Sequence, residues 1–312
     1  MANNSQPSQT TILINNPLKN NSNIIIPVTS LSTYLFCKRK LFLEKVLKIF
    51  VPVKEAVILG SIRHYCYEKI NKIEETLVKS INQGETLEQI ETRYNTMYSA
   101  ILKQTLIENK HELKRFNISL VDQHNKIFPL LKNESKLRAA NLFNFINEKN
   151  FYGQELWDNL TPKLQSEVSI TSKTLGMRGI IDQIEIYPNL VAPIELKTGK
   201  TPATGIWPNH RTQVSAYMLL LEDVYKQPIP KGYVYYLDTL DRRQIISNPF
   251  LKDEVLALRD KVIETITSKE LPDFLDNKNK CNSCDLKEKC YNKEFMEQRV
   301  QEVFAQKVNV SS

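Results

Sequence analysis

From Arg178 to Lys197 the chain runs through two stretches rich in apolar and β-branched residues, hinged on Pro188-Asn189. Both stretches read as strands, and Pro-Asn is turn chemistry. A symmetric hairpin centred on that pair matches Tyr187 with Leu190 and, carried back along the strands, sets Asp182 directly opposite Glu195. Cross-strand neighbours sit about 4.5–5.5 Å apart at Cβ. At that range two carboxylates repel unless a cation lies between them. Mg²⁺ or Mn²⁺ suits such a place, because hard cations take oxygen ligands. The two-residue period of a strand puts Lys197 on the face of Glu195 and turns Leu196 away, leaving its carbonyl as a further oxygen donor. A cation between carboxylates with a lysine alongside is what phosphodiester hydrolysis needs: something to polarise the phosphate and a positive charge to stabilise what develops. The competing reading is a salt-bridged strand pair on a solvated face. Against it, Asp182 interrupts an apolar face of Ile180, Ile184 and Ile186, where an unpaired carboxylate is costly.

The surroundings of the hairpin indicate an α/β core. Residues 164–170 read as a preceding strand, 209–221 as a helix, 232–238 and 242–247 as two further strands, and 251–269 as a helix, which together predict a mixed central sheet. Upstream, Ser30-Leu31-Ser32 caps a short helix running through Tyr34–Leu43 and carrying Cys37 on a rigid element. A second helix begins near Gly60, and residues 87–150 keep a helical period rich in Lys and Glu. The expected organisation is a disordered polar leader over 1–24, an N-terminal helical region over 25–160, the catalytic core over 161–250, and a C-terminal helix with a cysteine-cluster region over 251–312.

Other residues can complete the centre. His64, on the helix after Gly60, offers one nitrogen ligand. Gln213 and Tyr217, at i and i+4 on the helix after the hairpin, project from one face and can hold a phosphate or the lysine. His210 and Arg211 are weaker candidates. Glu167 reads equally as a neighbour of the metal or as a surface residue.

Cysteine usage points to a second centre. Five cysteines are too few for a disulfide framework in 312 residues, and Cys281, Cys284 and Cys290 crowd into one short segment. A fourth thiolate from Cys37 completes a four-ligand site that clasps the two ends of the core, and zinc and a [4Fe-4S] cluster both accept four cysteines. Cys66 reads as a small buried hydrophobe. The balance of 42 Lys+Arg against 35 Asp+Glu gives +7, compatible with a polyanionic partner. No run approaches the roughly 18 consecutive apolar residues of a spanning helix, so no membrane role and a cytoplasmic location are expected. The chain has no Gly-rich loop of the Walker type, and so no ATP-driven motor is expected within it.

Cys37 followed by Lys-Arg-Lys-Leu-Phe-Leu, Gly60 with His64, Gly179-Ile-Ile-Asp182, Glu195-Leu-Lys197, Gln213 with Tyr217, and the terminal cysteine trio occur in one order. That order resembles the iron-sulfur RecB-like nucleases of the PD-(D/E)XK type. The group includes the CRISPR-associated exonuclease Cas four family, AddB-type nuclease domains and the nuclease domain of the eukaryotic replication helicase-nuclease. The resemblance spans about residues 30 to 290. It implies a restriction-endonuclease-like core with a large helical insertion. It also implies a [4Fe-4S] cluster rather than zinc on Cys37, Cys281, Cys284 and Cys290. A Mg²⁺- or Mn²⁺-dependent attack on single-stranded DNA ends would be its activity, with His64, Asp182 and Glu195 holding the metal and Lys197 as catalytic lysine. The helical block of about residues 70–160 is longer than in compact CRISPR-associated members. Two settings therefore stand: trimming of spacer precursors beside a CRISPR integrase complex, and general DNA repair or recombination. A non-catalytic iron-sulfur DNA-binding subunit is a third, opposed by the intact Asp182, Glu195 and Lys197.

Overall fold

The computed structural model describes residues 24–308, so the leader expected over 1–24 lies, apart from Ile24, outside the described residues. The first elements are β1 (Ile26–Pro27), α1 (Thr29–Phe36), α2 (Lys38–Lys45) and α3 (Glu55–Lys79). A helical block comes next, α4 (Leu87–Glu108), α5 (Lys110–Arg115), α6 (Leu120–Lys149) and α7 (Gly153–Asn159). The core then runs β2 (Lys163–Ser172), β3 (Met177–Tyr187), β4 (Leu190–Lys197), α8 (Pro208–Tyr225), β5 (Lys231–Tyr236), β6 (Asp241–Ile246) and α9 (Pro249–Thr267). The chain closes with α10 (Lys278–Asn282), α11 (Lys287–Tyr291) and α12 (Lys293–Val308).

Local chemistry explains several boundaries. Cys37 does not ride on one continuous helix as expected: its backbone is extended at φ −165° and ψ 119°, ending α1, and its Sγ accepts the Lys40 N–H to cap α2. The second helix starts at Glu55, earlier than expected. The long helical stretch also divides, with Asn109 and the segment before Leu120 separating three helices. A capping box of Thr86 and Gln89 opens α4, and the Ser119 hydroxyl caps α6.

The sheet is mixed, in the order β1-β3-β4-β5-β6 with β2 on the other edge of β3. β3 pairs antiparallel with both β2 and β4, whereas β1 on β3 and β5 on β4 are parallel. The hairpin register is the one the turn dictates, Tyr187 opposite Leu190 and Gln183 opposite Ile194. There the β3–β4 ladder stops, although both strands continue. β4 goes on beside β5 as far as Lys197 opposite Tyr236. This fork in the sheet is where Asp182 and Glu195 sit.

Each face of the sheet is covered. On one, Met177, Ile181, Ile184 and Val234 pack with Leu31 of α1, Val214, Met218 and Leu221 of α8, and Val255 and Val262 of α9. On the other, Ile194, Leu196 and Leu237 join Ile62, Tyr67, Tyr98, Leu102 and Leu142 of the helical block. Two glycines let α8 lie close. A Cβ on Gly232 would come within 2.6 Å of Val214 Cγ1, and one on Gly179 within 2.6 Å of Tyr217 Cε1. A separate apolar cluster joins Phe42, Leu43 and Leu47 to Leu286 and Met296, with Cys284 and Cys290 packed against it. Inside the helical block a buried Arg138 bonds Glu74 at 2.9 Å and Glu134 at 3.0 Å. Tyr235 of β5 reaches Glu134 at 3.1 Å, tying that block to the sheet.

Candidate active site

At the fork, Asp182 replaces the missing ladder with its side chain: Oδ2 accepts the Leu196 N–H at 2.7 Å. Its other oxygen, Oδ1, lies 3.3 Å from His64 Nδ1, which α3 carries in from the neighbouring layer. Glu195 is only 3% exposed. Its Oε1 pairs with Lys197 Nζ at 2.6 Å, and its Oε2 is buried with no partner. Lys197 Nζ also donates to Gln213 Oε1 at 3.2 Å. The chain of bonds continues through α8: Gln213 Nε2 donates to the Tyr217 hydroxyl at 3.1 Å, and that hydroxyl donates to the Ile180 carbonyl at 2.8 Å. Tyr217 is 2% exposed. Of the pair, only Gln213 meets the lysine; the Tyr217 hydroxyl bonds Gln213 and the Ile180 carbonyl instead.

The electrostatics arise from crowding like charges in a buried place. Burial and the neighbouring Asp182 push the Glu195 carboxyl up to about 7. Burial works to lower the His64 pKa, but the bond to Asp182 and the charges of Asp182 and Glu195 outweigh it and raise it above the usual imidazole value. Burial likewise opposes the Lys197 charge, and Glu195 more than restores it. Burial and Asp182 raise Glu167.

Glu167 is the residue that sequence reasoning undervalues. It sits in β2 at the level of Asp182, with φ of +53° in a strand that is paired regularly on either side. The donor atoms of His64, Glu167 and Asp182 all lie within 4.8 Å of one another. Its sequence signal, one glutamate in a run of alternating strand residues, does not differ from that of a solvated position. Arg63 is missed as well. It is 4% exposed, donates to the Leu237 carbonyl at 2.7 Å and pairs with Asp238, whose Oδ2 accepts the Gly199 N–H at 2.6 Å. It thereby fixes the helix of His64 to the ends of β4 and β5.

The two weaker candidates are engaged by other partners. His210 Nδ1 meets the Tyr236 hydroxyl at 3.2 Å, and burial with the Lys197 charge lowers its pKa to about 4. Arg211 spends its guanidinium on Glu254 at 2.9 Å. Ile180 corrects another expectation: Ile184 of that face is buried, but Ile180 is 55% exposed.

Cys37, Cys281, Cys284 and Cys290 line one cavity together with Phe36, Phe274 and Tyr291. Arg39 is 7% exposed, donates from Nε to Cys290 Sγ at 3.2 Å and to the Pro272 carbonyl at 2.6 Å, and stacks over Phe274. Cys66 is fully buried among α3 and α4, and burial pushes its thiol up to about 11.

The protein is thus an α/β domain whose central hairpin opens to carry Asp182 and Glu195 beside Lys197. This chain belongs to the PD-(D/E)XK nuclease superfamily, whose family model matches residues 26–291. It is similar to the CRISPR-associated exonuclease Cas4 of Rhodospirillum rubrum, 28% identical over 38% of this chain and 36% of that one. It is also similar to a CRISPR-associated exonuclease Cas4/endonuclease Cas1 fusion of Leptospira interrogans, 28% identical over 46% of this chain and 28% of the fusion. The DNA replication ATP-dependent helicase/nuclease dna2 of Schizosaccharomyces pombe is 23% identical over 86% of this chain and 18% of its own length. In each case the match spans well under half of the relative. Among the described residues no helix is long and apolar enough to cross a membrane.

Proposed function

We propose that this chain is a Mg²⁺- or Mn²⁺-dependent nuclease that cuts single-stranded DNA from its ends. The observation that carries the reading is the group of His64, Glu167 and Asp182, whose donor atoms lie within 4.8 Å of one another; Glu195 is outside that group, and its buried, unpartnered Oε2 is what argues for including it. Two oxygen-rich strands and one imidazole form a donor set suited to a hard divalent cation. His64, Asp182 and Glu195 would hold it, with Glu167 as a further oxygen donor. When bound, the cation supplies Lewis-acid polarisation of a phosphoryl oxygen and lowers the pKa of an attacking water. Lys197, kept charged by Glu195 and aimed by Gln213, stabilises the negative charge that develops on the phosphate. Tyr217 and the Ile180 carbonyl anchor Gln213.

Residues 161–250 serve as the nuclease core in this reading, 25–160 as the helical region that brings His64 to it, and 251–312 as the cysteine-bearing closure. The four cysteines are read as ligands of a [4Fe-4S] cluster. What supports this is that Cys37, Cys281, Cys284 and Cys290 line one cavity and that the order of motifs resembles that of the iron-sulfur nucleases; four thiolates alone would suit zinc equally. Anaerobically purified protein should be brown and contain iron, and Cys37→Ser should lose the colour. Colourless, zinc-loaded protein would remove this part.

The fusion of a Cas4 exonuclease to a Cas1 endonuclease among the relatives supports a place in CRISPR adaptation beside an integrase. The longer alignment with a replication helicase/nuclease keeps DNA repair as the second reading. To test the activity, wild type, Glu195→Ala and Lys197→Ala are incubated with a labelled single-stranded oligodeoxynucleotide and Mn²⁺. Wild type should cut and each variant should be slower by about 100-fold or more. Equal cutting by all three, or none by the wild type, removes the reading.

A further inference from the structure

Two surface clefts meet on Ile180. The first holds His64, Asp182 and Lys197, with Val57 and Tyr65 of α3 on its rim. The second runs along β2 and β3 past Ser169, Thr171 and Arg178. Ile180 is paired with Ser169 across the ladder, and Arg178 with Thr171, so all four line the groove at successive steps. Val57, Tyr65 and Ile180 are 57%, 46% and 55% exposed.

A single exposed apolar side chain is ordinary. Three of them lining a cleft together with carboxylates, imidazole and lysine offer a surface for something apolar that accompanies the phosphate. In a duplex each base face is covered by its neighbours, and a rim beside the phosphate meets sugar alone. An unpaired nucleotide presents its free face, and stacking on aromatic or apolar side chains is tolerant of sequence. The hydroxyls of Ser169 and Thr171 and the Arg178 guanidinium offer donors for backbone phosphates, which position a strand without reading it.

We propose that Tyr65, Ile180 and Val57 form a base-contacting wall that stacks the unpaired nucleotides flanking the reacting phosphate and so selects single-stranded over duplex DNA. The proposal rests on the nuclease reading above and adds the residues that set its substrate.

The test uses the full chain with Ca²⁺ replacing Mg²⁺, and reads binding of a labelled single-stranded oligodeoxynucleotide by fluorescence anisotropy. A second strand of equal length is abasic at consecutive central positions. Tyr65→Ala and Ile180→Ser should each bind the complete strand roughly 5- to 100-fold more weakly, with Tyr65→Phe close to wild type. On the abasic strand the wild type should fall to the level of the variants, which lose nothing further. Wild-type binding by both variants, equal losses on both strands, or no binding by the wild type would overturn the proposal. Adding Mn²⁺ afterwards separates the two claims, since the expected binding pattern without cleavage leaves the wall standing and removes the nuclease reading.

Discussion

Tyr217→Phe isolates the device that aims the lysine. One hydroxyl joins two groups: it accepts from Gln213 Nε2 at 3.1 Å and donates to the Ile180 carbonyl at 2.8 Å. Deleting it keeps the ring and its packing but strands a buried amide N–H and a carbonyl. An unsatisfied buried group costs ~1–3 kcal/mol, so urea denaturation should show a loss in that range. The effect on rate is a different quantity. Lys197 keeps its 2.6 Å contact with Glu195, so the ammonium stays in the site while Gln213, its second partner, loses its anchor. A loosened lysine should lower the single-turnover cleavage rate by about tenfold, equivalent to ~1.4 kcal/mol of transition-state stabilisation. The loss should stay well short of that in Lys197→Ala, with metal affinity unchanged. A variant as stable and as fast as the wild type refutes the anchoring chain. One as slow as Lys197→Ala refutes the separation of positioning from chemistry.

Other perturbations act on the same contacts. Gly179→Ala forces a Cβ to 2.6 Å from Tyr217 Cε1 in a ring that its hydroxyl prevents from swinging away, so denaturation should show a loss of ~1–3 kcal/mol accompanied by slower cleavage. Unchanged stability would mean that α8 does not lie where described. Burial and Asp182 raise Glu195 from its ordinary value of 4.5 to about 7, so its contribution to metal-free stability is fully present below pH 4.5 and lost as pH rises through 7. Melting curves in chelator should fall across that window by on the order of 3 kcal/mol relative to Glu195→Gln, and Mg²⁺ should abolish the difference. Equal slopes for both proteins would contradict the buried charge. Arg138→Met strands Glu74 and Glu134 inside the helical block and should cost ~3–5 kcal/mol, while the protein that remains folded cleaves at the wild-type rate.

The hairpin is legible in the sequence because the Pro188-Asn189 turn and the two-residue period leave one register, in which Tyr187 meets Leu190. The same register makes it readable that Glu195 and Lys197 share a face. The fork is not readable. It depends on β5 drawing β4 away while the Asp182 side chain substitutes for a backbone acceptor, a tertiary arrangement with no local signal. The break at Cys37 is hidden because apolar periodicity runs unbroken from Leu35 to Leu43 across an extended residue. Glu167 is ambiguous for a different reason: any strand glutamate looks the same in sequence, and nothing local announces its positive φ. Ile180 reads as core because isoleucine usually is, and its exposure shows only once the two clefts are seen to meet on it.

Whether the fork between β3 and β4 holds a divalent cation on His64, Asp182 and Glu195 is tested most directly by anomalous diffraction from crystals grown with Mn²⁺. One strong Mn²⁺ peak is expected, bounded by the His64 imidazole and the Asp182 and Glu195 carboxylates, with Glu195 Oε2 no longer unpartnered, and Asp182→Ala should lose it. A fork without Mn²⁺ while the ion binds elsewhere, or a peak that survives Asp182→Ala, would contradict that assignment.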